Sequence, residues 1–153
     1  MRTIQEKKDE LLETLELIGD EQERLGYIVD LGKEAEPMPE EYRQDTFRIE
    51  GCASNLWMFP SYEQGLCHYR VDSDSTITRG IAAMLVGLYD GHPPGEILAH
   101  PPDFLQEAGV PQLLSPNRRN GLTNLSGKIM DYARLCQEQY GSAPAPAVGK
   151  SPE

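Results

Sequence analysis

Positive charge is scarce in this chain. Fourteen lysines and arginines stand against 25 aspartates and glutamates, a formal net charge of −11 at neutral pH. A surface this acidic repels nucleic-acid phosphate and anionic lipid, so no nucleic acid and no membrane is expected among its partners. Proteins and small molecules remain. Long hydrophobic runs are also missing: none approaches the roughly 20 residues that a membrane helix needs. The N-terminus lacks the basic-then-apolar layout of a secretory leader. Cysteine is sparse, with only Cys52, Cys67 and Cys136. An odd count without close spacing argues against a disulfide framework, free thiols go with a reducing compartment, and the expected localisation is cytoplasmic. The sequence contains no glycine-rich phosphate loop, no dinucleotide fingerprint and no internal repeat.

What is present reads as one α+β domain over residues 1–140, followed by a disordered tail. The tail, 141–153, is built from Ser, Ala, Pro, Gly and Lys and has too little apolar content to pack. Ile4, Leu11, Leu12, Leu15 and Ile18 lie at helical spacing and predict a first helix ended by Gly19. Asp20, with Glu23 in capping-box position, starts a second helix that Gly32 stops. The two are expected to form an antiparallel pair. After the break at Pro37 and Pro39 comes a short helical turn through Tyr42, and Phe47-Arg48-Ile49 alternates like a brief strand. Residues 55–61 and 66–72 alternate as a hairpin in which Pro60 marks an edge. The prediction is a small antiparallel sheet of about three strands flanked by helices.

A helix over about 76–90 is apolar around most of its circumference and is expected to be the central buried one. Gly80 and Gly87 share a face of it and would allow close packing. His92 and His100 sit among prolines and read as surface residues. Short helices are expected at about 95–99 and 103–108. Ser115-Pro116 is a strong start signal for the last helix, whose apolar stripe includes Leu122, Leu125, Ile129, Ala133 and Cys136. Cys136 therefore reads as core, and Cys67, which shares a strand face with Tyr69 and Val71, as a packed thiol.

The stretch Gly51-Cys52-Ala53-Ser54-Asn55-Leu56-Trp57 stands apart. Gly51 frees the backbone for a turn, and a cysteine on a tight loop with apolar residues behind it is placed to be exposed or withdrawn by a small movement. An inert half-buried thiol is the plain alternative. Arg118 and Arg119 break a local rule, since they occupy the first turn of the last helix, where the dipole disfavours cations. Surface ion pairing and a role beside a site both account for them. Cys52 with His68 and a carboxylate has the atoms of a hydrolase but no motif, and Glu50 would raise the thiol pKa. A metal-binding protein or iron–sulfur scaffold using Cys52, Cys67 and Cys136 has ligand atoms but no C-x-x-C clustering.

Three blocks in this order and spacing resemble the SufE family, which includes the CsdE proteins. They are Gly51-Cys52-x-Ser54-x-x-Trp57, then Asp72-Ser73-Asp74-Ser75 with Arg79-Gly80, then Ser115-x-x-Arg118-Arg119-Asn120-Gly121. The resemblance spans roughly residues 20–137 and departs from the usual pattern at Ala53 and Asn55, where glutamine is common. It implies a compact α+β fold like that of iron–sulfur scaffold proteins. It implies that Cys52 accepts persulfide sulfur from a SufS-like or CsdA-like cysteine desulfurase, stimulates that enzyme, and passes sulfur to a SufBCD-like scaffold complex. Asp74, Arg118 and Arg119 would support the loop or the partner. The protein would not be an enzyme on its own and would bind no cofactor or metal, the pyridoxal phosphate belonging to the desulfurase; a weak homodimer is a further expectation.

Overall fold

The computed structural model describes residues 2–51 and 54–140. Helix α1 (Ile4–Leu17) opens with a reciprocal capping box, in which Thr3 accepts from the Glu6 N–H and Glu6 reaches back to Thr3. At α2 (Glu21–Glu34) the Asp20 carboxylate accepts from Glu23 N–H at 3.0 Å, but the reciprocal box is the one at Thr3. Helix α2 runs through Gly32 to Glu34, so Gly32 does not stop it. A strap over residues 35–48 follows and contains two 3-10 turns, Glu40–Tyr42 and Asp45–Phe47. Strands β1 (Leu56–Glu63) and β2 (Leu66–Ser73) form the hairpin, then come α3 (Thr76–Tyr89), α4 (Pro94–Leu98), α5 (Phe104–Glu107) and α6 (Pro116–Tyr140).

Helix α3 is the centre, as its all-round apolar sequence requires. Ile81, Ala82, Met84, Leu85, Leu88 and Tyr89 are all buried. The expected α1–α2 pair does not form: α2 lies along α3, and α1 also packs on α3. The cause is a backbone approach at two glycines. A Cβ on Gly80 would stand 2.5 Å from Ile28 O, and one on Gly32 would stand 2.7 Å from Gly80 N. No side chain fits in either place. Gly87 has no such role, since nothing lies within 4 Å of a Cβ built there.

The sheet among the described residues has two strands, one fewer than expected. Phe47 leaves extended geometry to close a 3-10 turn, and its ring packs edge-on against Phe59 at 5.0 Å. What remains of the third strand is a single bridge from Arg48 to Trp57, beside an Ile49 N–H bond to Leu56 O. Pro60 stands opposite Tyr69 at a position whose backbone points away from the ladder, so its missing N–H costs no strand–strand bond.

His92 corrects another expectation. It is 2% exposed, not on the surface. Its Nδ1 lies 3.1 Å from Glu96 Oε1 and its Nε2 lies 2.9 Å from Lys7 Nζ, while Glu96 Oε2 accepts from Ile4 N–H at 2.9 Å. Burial and then the Lys7 charge hold the imidazole below its ordinary pKa. This polar cluster fastens α1 to α4. His100 is half-buried. No helix among the described residues is long and apolar enough to cross a membrane.

Candidate functional site: the loop between Ile49 and Leu56

Ile49 and Leu56 are both buried and joined backbone to backbone at 2.7 Å, so the segment between them leaves the core and returns to it at one fixed point. Cys52 and Ala53 lie outside the described residues, and so does the expectation placed on Cys52 itself. The structure does describe how the loop is held on either side of them.

On the entry side, Asn124 of α6 donates from Nδ2 to Glu50 O at 3.1 Å. Gly51 follows with φ of +84°, a conformation that strains any residue with a Cβ. A Cβ there would also stand 2.7 Å from Asn124 Nδ2. The glycine foreseen as a turn residue thus answers two demands, the positive φ and the close passage of Asn124. On the exit side, Arg118 donates from Nη1 to Ser54 Oγ at 3.1 Å. One helix therefore grips both shoulders of the loop.

Asp74 completes the frame. Its carboxylate accepts from Asn55 N–H at 3.2 Å and from Asn55 Nδ2 at 2.9 Å. Beside it, Ser73 Oγ donates to Asn55 O at 2.6 Å. Asp72, 1% exposed, faces the other way: it accepts from Met38 N–H at 3.0 Å and from Arg43 Nη2, with Arg79 Nε at 3.5 Å. These donors outweigh the effect of burial and keep its carboxyl below the usual range. The Asp72-Ser73-Asp74 run thus ties the strap to one side of the sheet end and the loop to the other.

Arg118 and Arg119 separate at this point. Arg118 reaches the loop, whereas Arg119 donates from Nε to Pro111 O at 2.8 Å and serves the segment before α6. The dipole conflict singled out Arg118, and the family resemblance pointed to Arg118 and Asp74 as supports of the loop, but neither indicated Asn124. A polar residue between Leu122 and Leu125 on the buried stripe was the available signal.

The two remaining thiols are elsewhere. Cys67 is fully buried and Cys136 is 2% exposed, close enough to interact with each other. Tyr69 and Tyr132 lie against them, and Tyr62 stacks on Tyr140 at 4.5 Å nearby. Burial pushes both thiols up in pKa, so neither is a ready thiolate at neutral pH. Among the described residues no three His, Cys, Asp or Glu side chains converge as metal ligands. His68 stands apart from the thiols' polar contacts, with Nδ1 3.8 Å from Asp90.

The family model SufE, described as the Fe-S metabolism associated domain, matches residues 9–133. The chain is 34% identical over 145 residues to SufE-like protein 1, chloroplastic/mitochondrial, of Arabidopsis thaliana, covering 92% of this chain and 39% of that protein. It therefore spans well under half the length of that relative. An uncharacterised SufE-like protein of Synechocystis is 32% identical over 124 residues, with 80% of this chain and 78% of the relative covered. The cysteine desulfuration protein SufE of Wigglesworthia glossinidia brevipalpis is 30% identical over 115 residues, 74% of this chain and 80% of that one. A hypothetical protein from Thermus thermophilus, solved in solution, matches with a TM-score of 0.68 at 19% identity, covering 84% of this chain and 96% of its own. That last likeness concerns the fold alone.

Proposed function

The chain belongs to the SufE family, the domain associated with Fe-S metabolism, and we propose on that footing that it is a sulfur acceptor and carrier whose working group is Cys52. The observation that carries this reading is the double grip of α6 on the loop, Asn124 on Glu50 and Arg118 on Ser54, with Cys52 between them in the chain. The other two thiols are buried and raised in pKa.

In the proposed step, the Cys52 thiolate attacks the outer sulfur of a persulfide on a cysteine desulfurase. A new S–S bond forms at Cys52, the donor's S–S bond breaks, and the donor cysteine leaves as thiolate. Electrons balance without an oxidant, as in thiol–disulfide exchange. Such an acceptor needs reach and an open line of attack more than a strongly depressed pKa. A short loop anchored at both shoulders supplies reach with little freedom to lose. Arg118, bonded to Ser54 Oγ, puts a positive charge on the exit shoulder of the loop. Delivery onward to an iron–sulfur scaffold complex, stimulation of the desulfurase and a cytoplasmic setting belong to the same proposal. Cys67 and Cys136 are packed in the core with their thiols raised in pKa, which favours a carrier working through Cys52 over a scaffold that needs all three.

The test is mass spectrometry after incubation with a cysteine desulfurase and cysteine. The expected result is added sulfur on Cys52, none on Cys67 or Cys136, and none at all on Cys52→Ser, whose circular dichroism stays that of the wild type. Sulfur acceptance by Cys52→Ser would end the assignment.

A further inference from the structure

One edge of the sheet is open in the middle. Because Leu56 O accepts from Ile49 N–H, Leu56 points its backbone away from β2, and by register so does every second pair along the hairpin. The outward-pointing residues of β2 are then Cys67, Tyr69, Val71 and Ser73. Most of their groups are occupied. Cys67 donates to His92 O at 2.9 Å and accepts from Gly91 N–H at 2.8 Å. Tyr69 N–H donates to Asp90 Oδ1 at 2.7 Å, and Ser73 N–H to Asp72 Oδ1 at 2.8 Å. The Tyr69 carbonyl and both Val71 groups meet no partner among the described residues. The chain's own segment at Gly91–His92 extends the sheet by one bridge and goes no further.

Beside this stretch lies an open groove of about 880 Å³. Met38 and Phe59 bound it on one side, and Ala83, Val86 and Gly87 of α3 on the other. Its rim is acidic: Glu34, Glu36 and Glu63 are exposed there, with Asp90 at one end. Against these stand His68 and Arg70, and Arg70 is turned over the Tyr42 ring at 6.0 Å.

We propose that the Tyr69–Val71 edge of β2 receives an extended segment of another protein, apolar in the middle and basic at its flanks, as an added strand. Run antiparallel, the residue opposite Val71 exchanges both of the unused Val71 bonds, which is strand addition at a sheet edge. Basic flanks match the carboxylate rim. The edge of β1 is no equivalent, because Pro60 faces outward there and has no N–H to offer. The Tyr69–Val71 edge runs from the middle of β2 toward Ser73, whose hydroxyl belongs to the frame of the Cys52 loop, so a partner held here sits next to that frame.

The probe is the peptide acetyl-Lys-Val-Thr-Val-Lys-amide, with acetyl-Glu-Val-Thr-Val-Glu-amide as its charge-reversed control. Titration into the 15N-labelled protein is expected to shift the backbone amide signals of Tyr69, Val71 and Gly87 saturably, with the glutamate peptide about tenfold weaker or more. Val71→Pro removes the outward N–H without touching the ladder to β1. Gly87→Gln fills the groove from a position where a Cβ meets nothing within 4 Å, and so remains informative even if the proline variant misfolds. Each is expected to weaken lysine-peptide binding about tenfold or more. Absence of saturable shifts, equal binding of the two peptides, or wild-type binding by Gly87→Gln would overturn the proposal. So would a dimer in sedimentation that Gly87→Gln dissolves, since the edge would then serve a second copy of this chain.

Discussion

The two ends of α6 treat their side chains differently. Near its start, Arg118 and Asn124 direct polar groups at another segment, a serine hydroxyl and a backbone carbonyl, so the helix acts there as a frame for a loop. Toward its end, Ile129, Ala133 and Cys136 are sealed in the core, where Tyr69 Oη donates to Ile129 O at 3.0 Å. One end positions a thiol-bearing loop and the other immobilises two thiols. Loss of a positioning contact should be read in transfer rate, and loss of a packing contact in stability.

The sharpest way to break that distinction is Gly51→Ala. The substitution forces a Cβ to φ of +84° and to within 2.7 Å of Asn124 Nδ2, so the entry shoulder must move. Single-turnover transfer from a loaded desulfurase is expected to slow about thirtyfold, ~2 kcal/mol in barrier. A wild-type rate would mean that the grip on the entry side does not matter for transfer. Arg118→Ala tests the exit side. It removes the bond to Ser54 and also a cation that the α6 dipole disfavours, so the thermal midpoint should hardly change. Transfer should fall about tenfold. A lower midpoint with unchanged transfer would turn Arg118 into a structural bridge.

At the other end, Cys136→Ala should cost about 1 kcal/mol, because it deletes a buried sulfur and leaves a small void. The expected result is a midpoint lower by a few degrees and unaltered sulfur acceptance. Lost acceptance in a folded variant would restore the multi-thiol scaffold as the better reading.

Local pattern was enough for much of this architecture. The boundaries of α3, the Ser115-Pro116 start of α6 and the burial of Cys67 and Cys136 follow from periodicity and caps within a few residues of each position. What could not be read there depends on distant partners. His92 is buried because α1 folds back and brings Lys7 to it, and no window around His92 contains that lysine. The α1–α2 pair was the simplest arrangement of two neighbouring amphipathic helices. It gave way because Gly80 lets α2 approach α3 more closely than any side chain would permit. Asn124 escaped notice because its value comes from where α6 crosses the loop. Arg118 was visible through its conflict with the helix dipole, a local rule broken for a distant contact.

That same conflict drew attention to Arg119, and here the smallest effect is expected. Arg119 Nε donates to Pro111 O, so its contact belongs to the segment that leads into α6, not to the loop. An exposed bond of this kind contributes about 1 kcal/mol at most. Removing a cation from a helix N-terminus returns roughly 0.3–1 kcal/mol, so the two contributions nearly cancel. Arg119→Ala should therefore leave both the thermal midpoint and single-turnover transfer close to wild type, while Arg118→Ala slows transfer. Comparison of the two single variants at low and high salt separates position from charge, since each removes one positive charge from the same helical turn. If both slowed transfer equally and the effect vanished at high salt, the pair would act as a generic cationic patch for partner docking. If Arg118→Ala alone slowed it, at either salt, the hydrogen bond to Ser54 would be the working element and the grip of α6 on the loop would stand.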